Sequence, residues 1–211
     1  MNKFGKVEAV KKSWEILKAN ANAVALVVGV YVVFYLVNNF LPLAISGVLG
    51  NSAVGALISG LLRLALVVVS LVLQYGYVRY FLMIVDGKKP ELKDLYSFPE
   101  MPIRVLKLAI ASFLYGLMVV GGFILLIVPG IYLAIRFSYF SYYLVDKDAG
   151  IIDSLKMSWK LTDGAVINLF LFSLLLGLIN IGGALLLGLG LLVTIPLSYI
   201  AMTHVYRKFQ S

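Results

Sequence analysis

The sequence of 211 residues contains no cysteine, a single histidine and few charged residues, which make up 13% of the chain. Without cysteine there is no disulfide, no thiolate nucleophile and no cysteine-ligated metal. Apolar residues reach 62% of the chain, whereas a soluble domain has about 45–50%. A soluble core of this size cannot hide so much apolar surface. The composition therefore predicts one integral membrane domain, 1–211, and excludes a disordered chain, a collagen-like chain and an ordinary soluble enzyme.

Charged residues are absent from four long stretches of the chain, 19–62, 64–78, 108–135 and 164–206. A helix needs about 20 apolar residues to cross the hydrocarbon core of a bilayer. The predicted fold is therefore all-α and polytopic, with six transmembrane helices arranged as three hairpins. The predicted spans are about 23–43, 56–85, 105–126, 129–145, 166–181 and 184–206.

Glycine and proline indicate where the hairpins turn. The first turn is predicted as a loop of small residues at 45–55, and the last turn at Gly182-Gly183. The middle turn lies at Gly121-Gly122 or at Pro129-Gly130, and we favour a turn between these two pairs. Pro129 then falls in the first turn of the fourth span, a position that proline tolerates.

Lysine and arginine indicate the orientation of the chain. They cluster before the first span, after the second and fourth spans and at the C-terminus, and contribute to a net charge of +8. The three opposite loops carry none. Because positive loops stay on the cytoplasmic side, the sequence predicts a multi-pass cell-membrane protein with both termini in the cytoplasm. No cleavable signal peptide is visible, and the first span is predicted as an uncleaved anchor.

Two segments with similar sequences precede the first and third hairpins. Residues 8–20 resemble residues 153–165, and both place apolar residues three and four apart. This spacing is typical of an amphipathic helix in the membrane interface, predicted at about 5–20 and 150–163. A weaker third copy is predicted at 91–99. The residues predicted to contact the membrane interface are Trp14, Trp159, Lys11 and Lys156, and the aligned pairs are Ser13-Trp14 and Ser158-Trp159.

Four segments, 76–98, 124–145, 154–164 and 194–209, resemble recurring elements of a broad family of six-span membrane proteins. This family includes the membrane domain of some bacterial glycerophosphodiester phosphodiesterases and the uncharacterised YciC-like membrane proteins. The resemblance covers most of the chain from about residue 76 and implies a six-span helical domain. It implies no phosphodiesterase activity, because the chain has no soluble phosphodiesterase domain.

Residues for catalysis or cofactor binding are scarce. A metal site needs convergent His, Cys, Asp or Glu side chains, and one histidine with no acid inside the spans supplies none. Ser46 and Ser59 are predicted near one membrane face and His204 near the other, so a Ser–His dyad is excluded. No phosphate-binding glycine loop outside a membrane helix is present. We therefore predict no enzyme activity, no catalytic residue, no metal, no cofactor and no nucleic-acid partner.

Three arginines, Arg63, Arg79 and Arg136, lie inside or at the edges of apolar stretches. Arg136 is predicted near mid-membrane, where an arginine costs at least about 2.5–3.5 kcal/mol to insert, and no acid within the spans is available to it. One interpretation is a structural hydrogen-bond network beside an interfacial belt of tyrosines. The other is a site for an anionic lipid headgroup. The residues predicted for that site are Arg136, Arg79, Arg63, Tyr139 and Tyr143.

Two hypotheses about function follow. The first is a non-enzymatic protein that binds or moves a lipid or another amphiphilic anionic molecule, with anionic membrane lipids as partners. The alternative is a structural or accessory protein that forms a homo-oligomer or anchors a partner complex in the membrane. Its predicted interface uses small residues that allow close helix packing, namely Gly177, Ala184 and Gly188.

Overall fold

The computed structural model describes residues 4–50 and 52–210. This part of the chain contains helices and no strand. A 3₁₀ turn at Leu92–Leu95 lies between α3 and α4. The α-helices are α1 Lys6–Ala19, α2 Ala21–Leu49, α3 Ala53–Val85, α4 Met101–Leu125, α5 Ile127–Arg136, α6 Phe140–Lys147, α7 Ile151–Leu161, α8 Val166–Leu185 and α9 Leu191–Gln210.

Four of the described helices, α2, α3, α4 and α8, are long and apolar enough to cross a membrane. They make the chain a multi-pass integral membrane protein. The predicted fourth span is divided between α5 and α6, which have 10 and 8 residues. The predicted sixth span corresponds to α9, which has 20 residues but contains Pro196 and ends in Arg207 and Lys208. By length and composition, the described residues thus contain four candidate crossings, whereas the sequence predicts six.

The first connection is shorter than predicted. Instead of a loop at 45–55, α2 continues through Pro42 to Leu49, and α3 begins at Ala53. The Ser52 side chain accepts a hydrogen bond of 3.1 Å from the backbone N–H of Gly55, which caps the first turn of α3. Both helices therefore extend beyond the predicted spans 23–43 and 56–85.

The middle turn lies between the two glycine-containing pairs, where we favoured it. Leu126 is extended, with φ of −169°, and separates α4 from α5. The two helices then pack very closely, because a Cβ on Gly122 would lie 2.9 Å from the Cα of Gly130. Pro129 is the third residue of α5, where its missing N–H removes no helical hydrogen bond.

The break between α5 and α6 divides the predicted span 129–145. The Ser158 hydroxyl, on α7, donates a hydrogen bond of 2.9 Å to the carbonyl oxygen of Arg136 and accepts one of 3.1 Å from the N–H of Tyr139. The hydroxyl of Thr162 lies 3.2 Å from the same carbonyl oxygen. An interrupted helix is tolerated in a membrane protein where side chains satisfy the freed backbone groups. The side chains at the C-terminal end of α7 stabilise this break.

The last turn differs from the prediction. Gly182 and Gly183 lie inside α8, and the chain turns at 186–190. Leu187 and Gly188 adopt positive φ values of 55° and 77° there. Gly183 has a packing role, because a Cβ on Gly190 would lie 2.6 Å from its Cα. The turn also separates Gly188 from the helix that holds Gly177 and Ala184, so the three small residues proposed as an interface do not share one helix face.

The predicted interfacial helices at 5–20 and 150–163 are α1 and α7, whereas the segment 91–99 forms only the 3₁₀ turn. The aligned pairs behave alike: Ser13 and Ser158 are fully buried, while Trp14 and Trp159 are 42% and 37% exposed. Each serine thus faces the protein and each tryptophan faces outward. The 3₁₀ turn instead packs its backbone on α3, since a Cβ on Gly76 would fall on the carbonyl oxygen of Leu95.

Most buried residues lie toward one end of the helix bundle. In α3 they concentrate between Leu73 and Ile84, and in α9 between Pro196 and Tyr206. Asp86, Asp146 and Arg207 meet at this end, which we call the charged end. The opposite parts of α2 and α3 are sparsely covered, because only 11% of the most apolar window of each helix is buried within the protein.

Candidate lipid-binding groove

Arg136 is enclosed by protein and paired. Its side chain is 4% exposed, and its Nη1 donates a hydrogen bond of 3.0 Å to Oδ1 of Asp163. The guanidinium carbon lies 4.0 Å from the ring centroid of Trp159 and 5.7 Å from that of Tyr132. An arginine on an aromatic face is stabilised by the negative face of the ring. The tryptophan of the second Ser-Trp pair therefore covers this cation.

The structure gives Arg136 an ion-pair partner that the sequence analysis did not assign. An acid is available to it, since Asp163 follows α7 and reaches back to the end of α5. The sequence analysis placed Asp163 at the end of the predicted interfacial helix 150–163, 27 residues from Arg136, and did not detect the pairing. Nε of Arg136 is buried without a hydrogen-bond partner in the described part of the chain, but the positive charge itself is neutralised. This arrangement favours the structural interpretation of Arg136 over the headgroup site.

The other two predicted arginines lie far apart in the structure. Arg79 donates a hydrogen bond of 3.1 Å to the carbonyl oxygen of Ser97 and lies 3.7 Å from Asp94. It therefore fastens the segment around the 3₁₀ turn to α3. Arg63 is exposed on α3 and takes part in none of the ion pairs of the described residues. The structure does not bring Arg63, Arg79 and Arg136 together into one anion site.

The two predicted tyrosines belong to an aromatic cluster at the charged end. Tyr139 and Tyr143 are buried, and both rings pack against Tyr206 of α9, at centroid distances of 6.0 and 5.3 Å. The hydroxyl of Tyr139 lies 3.9 Å from the sulfur of Met202. Neither ring is among those that contact Arg136, which are Tyr132 and Trp159. These tyrosines are part of the hydrophobic core.

The strongest polar contact, which the sequence analysis missed, involves Arg207. Its guanidinium binds both carboxylate oxygens of Asp86 at 2.7 Å, and both oxygens of Asp146 at 2.7 and 2.8 Å. Such two-pronged contacts are among the strongest that arginine makes. Arg207 thereby joins the C-terminal ends of α3 and α9 to α6. The only sequence signal was a cation at the end of one predicted span and acids at the ends of two others.

The contact with Arg207 lowers the pKa of the Asp146 carboxyl group. Burial raises its pKa, but the hydrogen bonds and positive charge of Arg207 outweigh burial and hold the pKa below its ordinary value of 3.8. Tyr206 adds a hydrogen bond of 3.1 Å to the same carboxylate. Asp146 is therefore charged at neutral pH and stabilises the packing of α6 against α9.

The predicted membrane-interface residues lie on exposed surfaces of α1 and α7. Lys11 and Lys156 are exposed, as are the two tryptophans. The ammonium group of Lys18 lies 5.9 Å from the ring centroid of Trp14. This combination of exposed tryptophan and lysine fits the predicted position at the headgroup level.

A groove of about 310 Å³ lies between α2, α3 and α9. Apolar side chains form most of its wall, and Phe81 stacks on Tyr199 with parallel rings 5.3 Å apart. Tyr31 and Tyr35 line it from α2. A volume of this size is at the lower end of the range for small-molecule sites, about 300–1,000 Å³. No charged side chain lines this groove.

Tyr77 gives the groove its distinctive polar group. Its ring lies 6.3 Å from that of Tyr31, and its hydroxyl is buried without a hydrogen-bond partner in the described part of the chain. A buried hydroxyl without a partner costs about 1–3 kcal/mol. A ligand that accepts or donates a hydrogen bond at this point would recover that cost. The sequence analysis noted Tyr77 only as one of several tyrosines near the end of the second span.

Two further features of the structure complete the search for a candidate site. The described residues contain no group of three or more His, Asp or Glu side chains that could hold a metal ion. A second, wider cleft of about 980 Å³ lies between α2 and α3, and its wall is almost entirely apolar. The groove with Tyr77 is therefore the better candidate site, because it combines an apolar wall with an unsatisfied polar atom.

Comparisons with protein-family models, with curated proteins and with solved structures found no match. The resemblance to the six-span family therefore stays a prediction from the sequence.

Proposed function

We propose that this protein binds a lipid or similar amphiphile from the bilayer in the groove between α2, α3 and α9. The observation that carries the proposal is the buried, unpartnered hydroxyl of Tyr77 in an apolar groove. Two walls of the groove belong to α2 and α3, which are apolar enough to cross a membrane. A ligand reaching it there comes from the hydrocarbon phase, and the chain would handle it without enzymatic chemistry.

The membrane arrangement that we propose keeps the six crossings and the cytoplasmic termini predicted from the sequence. The supporting observations are the packing of α2 on α3, α4 on α5 and α8 on α9. The α5–α6 unit would supply the fourth crossing as an interrupted helix, and α9 the sixth. Membership of the six-span family is part of the same proposal. In this arrangement α1 and α7 lie on the cytoplasmic surface, with Trp14 and Trp159 among the headgroups.

Native mass spectrometry tests the groove with a pair of matched variants. Val32→Trp fills the groove, because Val32 is part of its wall. Val120→Trp adds the same ring to an exposed position on α4, outside the groove. We expect wild type and Val120→Trp to retain one lipid through purification in mild detergent, and Val32→Trp to lose it while remaining folded.

Equal lipid retention in all three proteins would contradict the proposal. A stable oligomer without lipid would also contradict it and favour the accessory role. Because the chain has no cysteine, single-cysteine variants would then locate that interface directly.

A further inference from the structure

The polar groups around the groove are uncharged. Hydroxyl groups come from Tyr31, Tyr35, Tyr77 and Tyr199, and no lysine, arginine, aspartate or glutamate is part of the wall. A site for a charged headgroup would need an opposite charge, because an unpaired charge in an apolar environment is very costly. The groove therefore discriminates against anions on electrostatic grounds.

Uncharged polar side chains also continue along α2 beyond the groove. Asn38 and Asn39 follow Tyr35 by three and four residues, as Tyr35 follows Tyr31 by four, and residues so spaced are neighbours on a helix surface. All four side chains are exposed. Together they form a stripe, which we call the α2 polar stripe. Asn39 Nδ2 donates a hydrogen bond of 2.8 Å to the carbonyl oxygen of Tyr35, which leaves the amide oxygen of Asn39 available to a ligand.

Polar side chains on an apolar membrane helix need hydrogen-bond partners. Side chains that hydrogen-bond are rare at lipid-facing positions, because hydrocarbon cannot satisfy them. Arg79 and Arg136 supply no free charge to this surface, since they contact Asp94 and Asp163. Arg63 of α3 is exposed, but it is not part of the groove wall. The stripe thus offers donors and acceptors without net charge, which matches a headgroup of the same kind.

We propose that the groove and the α2 polar stripe select an amphiphile with an uncharged, hydroxyl-rich headgroup, such as a glycosyl lipid. The headgroup would lie along Tyr31, Tyr35 and Asn38, and Tyr77 would bind a polar atom near the start of its acyl chains. This inference rests on the lipid binding proposed above and names the class of lipid. It replaces the anionic headgroup predicted from the arginines.

A competition experiment tests the headgroup. The protein is reconstituted in nanodiscs that contain equal amounts of monoglucosyl diacylglycerol and phosphatidylglycerol with identical acyl chains. Native mass spectrometry then measures the ratio of the two lipids bound to wild type, to the double variant Tyr35→Phe/Asn38→Leu and to Tyr115→Phe. Tyr115 is the control, because it lies on α4 and its hydroxyl contacts the carbonyl oxygen of Ala134.

We expect wild type and Tyr115→Phe to bind the glucosyl lipid at least about fivefold more than phosphatidylglycerol, since one neutral hydrogen bond corresponds to about a fivefold change in affinity. The double variant should lose most of this preference. Equal or stronger binding of phosphatidylglycerol to wild type would overturn the inference, as would an unchanged preference in the double variant. If Val32→Trp abolishes binding of both lipids while wild type shows no preference, only the headgroup class is wrong. If no lipid binds, both proposals are wrong.

Discussion

The charged end and the groove use buried polar groups in opposite ways. At the charged end, cations meet carboxylates of the same chain: Arg207 contacts two of them, and Arg136 contacts one and an indole ring. In the groove, the hydroxyl of Tyr77 is buried with no partner in the described residues. Polar groups that are satisfied internally stabilise the fold, whereas a buried group without a partner needs an explanation, which for Tyr77 is the ligand that we propose. The comparison favours a structural role for the arginines and supports the binding that we propose for the tyrosines.

The contact between Arg207 and its two carboxylates should have the largest effect on stability. Arg207→Gln leaves Asp86 partly buried without a counter-charge and leaves Asp146 with only Lys147, at 3.4 Å. Removing one partner of a buried pair costs about 3–5 kcal/mol. Because the Arg207 side chain is 25% exposed, we expect a loss of about 2–3 kcal/mol. Thermal unfolding in detergent measures it. Arg63→Gln is the control and should change stability little; equal losses in both variants would remove the distinction between paired and exposed arginines.

The two Ser-Trp pairs allow a matched test of which buried serine stabilises the fold. Ser158→Ala removes the hydroxyl that bridges Arg136 and Tyr139 at the helix break, leaving the buried N–H of Tyr139 unsatisfied, a cost of about 1–3 kcal/mol. Ser13→Ala removes only a bond of 2.7 Å from the Ser13 hydroxyl to the carbonyl oxygen of Ala9 in its own helix, and should be nearly neutral. Chemical unfolding of the two variants checks this difference. A Ser13 variant as unstable as the Ser158 variant would show that the aligned serines have one shared role.

The pH dependence of stability tests the contribution of the Asp146 carboxylate at the charged end. The folded pKa of Asp146 is lower than its ordinary value, so its contribution is present above the unfolded pKa and is lost as pH falls through the folded pKa. We expect the unfolding temperature of wild type to fall below about pH 5, and that of Asp146→Asn to fall less steeply. Parallel curves for the two proteins would contradict a role for this carboxylate.

Much of the fold could be predicted from the sequence, because the pattern of hydropathy indicates the helices and glycine indicates several of the turns. The charge-free stretches predicted the long apolar helices, and the amphipathic spacing predicted α1 and α7. The interruption after Arg136 could not be predicted, since it depends on Ser158 and Thr162 from a different helix. The loop at 45–55 was overestimated for a different reason. Small residues suggested a loop, but Ser46 and Gly47 continue α2, and the Ser46 hydroxyl donates a hydrogen bond to the carbonyl oxygen of Leu43 in the same helix.

Less of the candidate site could be predicted from the sequence. Arg136 attracted attention because its charge stands out in an apolar stretch, yet its partner Asp163 lies in a segment predicted to be at the surface. Tyr77 did not stand out, because a tyrosine near the end of a span is usually part of the interfacial belt. Only the packing of α9 against α2 and α3 shows that its hydroxyl is enclosed and unsatisfied.

The smallest expected change in stability gives the most direct test of the central claim, that the tyrosine groove binds lipid and the arginines do not. Lipid retention and thermal unfolding are measured together on Tyr77→Phe and Arg136→Gln. We predict that Tyr77→Phe unfolds within about 1 kcal/mol of wild type but loses its lipid, while Arg136→Gln is destabilised and its folded fraction keeps the lipid. The opposite result, in which folded Arg136→Gln loses the lipid and Tyr77→Phe retains it, would contradict the account.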